Sequence, residues 1–200
     1  MKIQRAILSC YDKTGVVDFA RALVEMGVEI ISTEGTHSAL EAAGIPTIEI
    51  AEFTGVREML NGRVKSLHPK VHSGLLAIRD NKLHNEEMQT YGYQWIDLVA
   101  VNLHPIDSLI DQPGLATEEV IEQVDIGGIS MIRSAAKNFR YVTVSVDPSQ
   151  YTSIIHEMQA REGGLSFPMR YKLAKEAFDA TAKYDQNLAD YLLKSEPPQE

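Results

Sequence analysis

The chain is predicted to fold as a single α/β domain, with a central, mostly parallel sheet flanked by helices and a long C-terminal helix. Three observations predict this. Residues 5–50 alternate strand-like and helix-like runs in the order β-α-β-α-β. That order implies a parallel sheet joined by right-handed crossovers. Two later runs, 96–101 and 141–146, read as further strands, the first almost wholly apolar. Finally, residues 168–193 carry Leu173, Ala177, Phe178, Thr181, Tyr184, Leu188 and Tyr191 near helical spacing.

The elements follow in order. Arg5–Cys10 reads as a buried strand. Thr14–Gly15 opens a helix whose apolar face holds Val16, Val17, Phe19, Ala20, Leu23 and Val24. Gly27 stands where a C-terminal cap is expected. A second strand covers 28–32, a short helix 36–43 ends at Gly44, and a third strand covers 47–50. Short helices are expected at 58–60 and 69–78, and a polar surface helix at 82–91. After the strand at 96–101, residues 111–114 read as a loop and 117–123 as a helix with an acidic start. Helices are expected over 148–161 and 168–193. Residues 195–200 form a polar, proline-containing tail, so the domain is expected to span 1–194.

Composition narrows the function. Two hundred residues fit one domain with a substantial core. A net charge of −9 argues against a nucleic-acid partner, which calls for a basic patch or stripe. Cys10 is the single cysteine, so no intramolecular disulfide forms and a reducing compartment is expected. It reads as a buried small hydrophobe. No signal-peptide core or run of membrane-spanning length occurs, so a cytoplasmic protein without a membrane partner is expected.

The chemistry-bearing residues lie where parallel sheets bind ligands, beyond the carboxyl ends of strands. Ser9 to Gly15 follows the first strand and includes Lys13. Thr33-Glu34-Gly35-Thr36 follows the second and leads into a helix. Hydroxyls, a permissive glycine and helix N-terminal N–H groups suit a phosphate, although Thr36 is also an ordinary N-cap type. Asn102-Leu103-His104-Pro105 follows the fourth strand. Gly62 to Pro69 adds Arg63, Lys65, Ser66 and His68 from the irregular middle.

Asp125-Ile126-Gly127-Gly128 opens another helix. Asp125 reads either as a cap or as a catalytic acid, and the glycines leave N–H groups open to an oxyanion. Lys137 ends the same helix. Nine or ten helical residues span roughly 14 Å and a lysine reaches back about 6 Å, so spacing alone does not bring Lys137 to Asp125. His68, His72 and His104 raise the question of zinc, but no third ligand or glutamate base accompanies the first two; capping or polar packing is the better reading. No dinucleotide-binding or Walker glycine pattern occurs.

Taken together, Asp12 to Gly15, Gly62 to Pro69, Asn102 to Pro105, Asp125 to Gly128 and Arg133 to Asn138 resemble the IMP cyclohydrolase domain of the bifunctional AICAR transformylase/IMP cyclohydrolase. The likeness runs from Ala6 to about Leu193. It implies a methylglyoxal-synthase-like fold. It also implies dehydrative closure of 5-formamido-imidazole-4-carboxamide ribotide to IMP, without metal or organic cofactor. The transformylase domain of those proteins is absent, so a stand-alone cyclohydrolase or an excised domain is expected.

The resemblance also implies roles. Lys13, Thr33, Gly35 and Thr36, with Ser9 nearby, would hold the 5′-phosphate. Arg63, Lys65 and Ser66 would contact the base and its side groups, and Asn102 would join the binding set. Asp125 would orient or deprotonate the carboxamide nitrogen. Lys137 and the N–H groups around Ile126 and Gly127 would stabilise the oxyanion. Lys65 and His104 would manage protons as water leaves. The expected partners are a small purine ribotide, a second copy in a homodimer, and a separate AICAR transformylase.

Four positions depart from that family. Residue 104, usually tyrosine, is histidine; Glu34 stands for a common glycine; Ser66 replaces threonine; Tyr11 replaces a small residue. Two other functions share the fold: a non-catalytic nucleotide sensor, and methylglyoxal synthase.

Overall fold

The computed structural model describes residues 2–110 and 114–195. The strands are β1 (Arg5–Cys10), β2 (Glu29–Ser32), β3 (Ile48–Glu49), β4 (Leu98–Asn102) and β5 (Thr143–Ser145). Between and after them run α1 (Val16–Glu25), α2 (Glu34–Ala42), α3 (Ile50–Thr54), α4 (Pro69–Leu76), α5 (Lys82–Thr90), α6 (Ile106–Ile110), α7 (Thr117–Glu122), α8 (Gly127–Lys137), α9 (Tyr151–Ala160) and α10 (Phe167–Leu192). A 3-10 turn, Pro148–Gln150, precedes α9.

The sheet has five strands in the order β3-β2-β1-β4-β5, and every pairing is parallel. Register is set at the centre, where Leu8 faces Ser32 on one side and Ala100 on the other. The chain therefore winds outward one way from β1 to β3, then returns and winds the other way through β4 and β5. Such a reversal leaves a crevice beyond the carboxyl ends of β1 and β4.

Sequence patterns explain the packing. Val16, Phe19, Ala20 and Leu23 bury one face of α1, while Val17 and Val24 flank it half-buried. Helix α8 buries Gly128, Met131, Ile132, Ala135 and Ala136. Its two large apolar side chains contribute about 1.5–3 kcal/mol each when removed from water. Gly74 lets α4 lie against the chain entering β4: a β-carbon there would come 2.7 Å from Gln94 O. A smaller core of Ile106, Leu109, Val120 and Tyr184 joins α6, α7 and α10.

Several expectations need correction. Residues 58–60 are not helical; they form a tight loop in which Met59 and Val64 exchange backbone hydrogen bonds. Helix α2 begins at Glu34 rather than Thr36, with Thr33 as its N-cap. Helix α6 was not foreseen, because five residues give too little periodicity. On α10, Leu173, Ala177, Thr181 and Tyr184 are buried as expected, but Phe178 faces outward beneath the Arg133 guanidinium. Of the expected loop at 111–114 and tail at 195–200, residues 111–113 and 196–200 lie outside the described residues. Among the described residues no helix is long and apolar enough to cross a membrane.

Candidate active site

The carboxyl ends of β1 and β2 build a first subsite. Thr33 Oγ1 donates to Ser9 Oγ at 2.9 Å. Thr36, buried inside α2, accepts from the Cys10 N–H at 2.9 Å and so fixes the helix against β1. Lys13 bends back over the loop, its ammonium donating to Cys10 O at 2.8 Å. There it lies 3.8 Å from where a β-carbon of Gly35 would stand. Thr33 makes no side-chain cap, and among the described residues the N–H groups of Glu34 and Gly35 have no acceptor. A lysine, two N–H groups, the Ser9 and Thr33 hydroxyls and the positive end of a nine-residue helix lie together, an arrangement able to attract an anion, while the Thr36 hydroxyl is spent on Cys10. Glu34 is exposed on its rim.

Helix α8 begins a second subsite. The Gly128 N–H donates to Asp125 Oδ1 at 2.7 Å, so Asp125 does act as a cap. A β-carbon at Gly128 would come 2.5 Å from Asp125 Oδ2, so glycine is needed here for close approach. Asp125 is half-buried, and its own N–H donates to the Tyr184 hydroxyl at 3.0 Å. Among the described residues the N–H groups of Ile126 and Gly127 have no acceptor.

The irregular segment 62–69 connects the two subsites. Buried Ser66 places its hydroxyl against Gly127 at the start of α8. The preceding residue, Lys65, lines a small cavity of about 20 Å³ with Glu34, Glu49 and Glu58 beside the start of α2. Arg63 is tied to Glu122 on α7, which lifts the guanidinium pKa and lowers that of the carboxyl.

At the crevice itself, His104 stacks on Tyr11 with ring centroids 4.1 Å apart. Burial pushes its pKa below the usual histidine range, with Asp125 pulling the other way. Asn102 is buried, its amide donating to Asp12 O and accepting from the Asp12 N–H, both at 2.8 Å. It locks the loops together rather than presenting a free amide to a ligand.

Three residues fall elsewhere. Lys137 is exposed at the far end of α8, about 15 Å along the helix from Gly127. His68 caps α4 by accepting from the Lys70 N–H at 3.1 Å, and His72 meets Ser134 Oγ at 3.0 Å. Among the described residues no three His, Cys, Asp or Glu side chains gather as a metal would require. A cleft of about 570 Å³ opens between α4 and α5, lined by His72, Leu76, Met88, Tyr91 and Tyr93 among others. It contains none of the residues above that gather at the sheet edge, and its walls are mainly apolar, so the chemistry is assigned to the sheet edge.

Comparison with known proteins places the fold in a family. Residues 15–130 match the family described as MGS-like domain. The chain belongs to the MGS-like domain family. Residues 135–200 match the family described as AICARFT/IMPCHase bienzyme. The MGS-like chain is 48% identical over 190 residues to the bifunctional purine biosynthesis protein PurH of Neisseria meningitidis serogroup A / serotype 4A (strain DSM 15465 / Z2491), covering 95% of this chain and 36% of that protein. It is 50% identical over 190 residues to PurH of Listeria monocytogenes serovar 1/2a (strain ATCC BAA-679 / EGD-e), covering 95% and 37%. It thus spans little more than a third of these relatives. The crystal structure of ForH superposes with a TM-score of 0.85 at 35% identity, covering 95% of this chain and 99% of that one.

Tyr184 and Glu122 were not singled out from sequence as parts of the site. The helical spacing had placed Tyr184 on the inner face of α10, but nothing in spacing tells that its hydroxyl reaches Asp125.

Proposed function

We propose that this chain is an IMP cyclohydrolase of purine biosynthesis, closing the pyrimidine ring of 5-formamido-imidazole-4-carboxamide ribotide with loss of water. The observation that carries the proposal is the placement of consecutive residues Lys65 and Ser66 beside the starts of α2 and α8. One segment thereby spans a phosphate-type anion site and a carboxylate with open N–H groups. The 48–50% identity to PurH proteins supports the same activity.

In this reading Ser9, Lys13, Thr33 and Gly35 take the 5′-phosphate, Thr36 serves only to hold α2 against β1, and Arg63, Lys65 and Ser66 face the base. Both reacting groups belong to one molecule, so the enzyme's task is alignment in a near-attack geometry. Asp125 withdraws a proton from the carboxamide nitrogen as that nitrogen bonds to the formyl carbon. The former formyl oxygen becomes an oxyanion held by the N–H groups of Ile126 and Gly127. Two protons turn it into water, the one Asp125 took and the one on the formamido nitrogen, passed through His104 and Lys65; as the water leaves, the formyl carbon forms its double bond to the formamido nitrogen. The residues of this chain accomplish every step, and no cofactor is assigned.

Lys137 joins such a site from a second copy, since in its own protomer it lies at the wrong end of α8. The proposal therefore includes a homodimer, a cytoplasmic location, and a transformylase supplying the formylated ribotide. Residues 1–194 are the catalytic unit. The alternative of a nucleotide sensor is not favoured, because Asp125 and the open N–H groups stand beside the anion site. Methylglyoxal synthase is not favoured by the PurH relatives.

The test separates binding from turnover. Lys65→Ala, Asp125→Ala and Lys137→Ala are expected to lower turnover at least about a hundredfold while IMP still binds. Near-normal rates in all three would overturn the assignment.

A further inference from the structure

The Tyr11 and His104 rings meet across the crevice, Tyr11 following β1 and His104 following β4. Their planes are inclined by 26°. The backbone fixes this meeting. The Tyr11 N–H donates to Asn102 O at 3.4 Å, and the Asp12 N–H and O pair with the Asn102 amide at 2.8 Å each. The two loops are thus zipped together just where the rings emerge.

A histidine that transfers protons usually has its ring set by a hydrogen bond on its second nitrogen. His104 has no such bond among the described residues. Its nitrogens are also not buried orphans, so they remain open to the crevice. The contact that bears on the plane of the imidazole is the phenol ring stacked on it.

Resting on the ring-closing reading above, we infer that Tyr11 is the positioning residue of His104, holding the imidazole at the crevice through ring stacking with both nitrogens open to the reacting groups. Tyr11 belongs to the same loop as Lys13. The loop that grips the phosphate therefore also sets the proton-transfer ring, and the distance between phosphate and acid–base group is built into one turn. Tyr11 is 55% exposed and its hydroxyl has no hydrogen-bond partner among the described residues, so its contact with His104 is the stacked ring. Asp125 is the charged group that acts on His104.

The experiment compares the full wild-type chain with Tyr11→Phe and Tyr11→Ala by two measurements. The first is the His104 imidazole titration, followed by NMR without substrate. The second is the pH dependence of kcat and KM for ring closure. Tyr11→Phe is expected to match wild type in both, which also shows that the fold is kept. Tyr11→Ala is expected to raise the His104 titration toward the ordinary value, and to lower kcat about tenfold with KM changed less than about twofold. An unchanged titration in Tyr11→Ala, or equal losses in both variants, overturns the inference. A wild-type chain that closes no ring overturns the cyclohydrolase reading, while the titration still decides whether Tyr11 sets His104.

Discussion

The Ser66 hydroxyl occupies the space that a β-carbon at Gly127 would need. This contact seats the 62–69 segment on the start of α8 and holds Lys65 over the start of α2. Gly127→Ala must turn the Ser66 hydroxyl away or shift the segment that carries it. Overpacking of this kind costs about 1–3 kcal/mol. Urea unfolding is expected to show that loss, and steady-state kinetics a fall in kcat of more than about tenfold, since small misplacements in an aligned site are expensive. Adding Ser66→Gly is expected to recover stability but not activity. Full activity in Gly127→Ala would mean that the segment does not need this seat.

The hydroxyl of buried Tyr184 accepts the Asp125 N–H, tying the C-terminal helix to the proposed catalytic base. Tyr184→Phe removes that acceptor at a cost of about 1 kcal/mol in stability. The expected kinetic signature is a severalfold lower kcat at unchanged KM, because Asp125 is loosened while the phosphate subsite is untouched. A change in KM alone would contradict it.

A shared site predicts complementation. Asp125→Ala and Lys137→Ala homodimers are each expected to be inactive. When mixed and allowed to exchange subunits, half of the dimers carry both variants, and each of those holds one intact site. Recovery of about a quarter of wild-type activity is expected. A mixture that stays inactive, although exchange is shown by native mass spectrometry, would place Lys137 outside the partner's site.

Burial lowers the pKa of His72, and it also lowers that of His104. The sign follows from linkage. Near pH 6.5 and below, the unfolded chain takes up protons that the folded chain resists, so folding stability falls as pH falls through the folded values. Denaturation at pH 7.5, 6.5 and 5.5 is expected to show declining stability, with a shallower decline in His72→Gln. The lowered carboxyl groups, Asp12 and Glu122, act only at more acidic pH. An equal slope in the variant would contradict the assignment to His72.

Much of this was legible in the sequence. The alternation of runs gave the parallel sheet, and the loops after β1, β2 and β4 could be placed together because strand direction alone puts them at one edge. Asp125, close in sequence to a helix start, was also readable as a cap, whereas the cap of α2 is Thr33 and not Thr36. Contacts between distant segments were not. Nothing local in the chain indicates that Ser66 meets Gly127, that Glu122 engages Arg63, or that Asn102 spends its amide on Asp12. The segment around Glu58 was misread because its few residues suit a helix, whereas the turn through Leu60 and Asn61, both at positive φ, allows a tight bridge instead. Lys137 was correctly separated from Asp125 by helix geometry alone.

The most direct test of the central claim is ring closure by the purified chain. IMP formation from the formamido ribotide is followed by ultraviolet absorbance in the presence of chelator. The account predicts turnover that chelator leaves unchanged and that Asp125→Ala abolishes. No turnover by a folded, dimeric chain that still binds IMP would contradict it and leave a nucleotide-binding domain in its place.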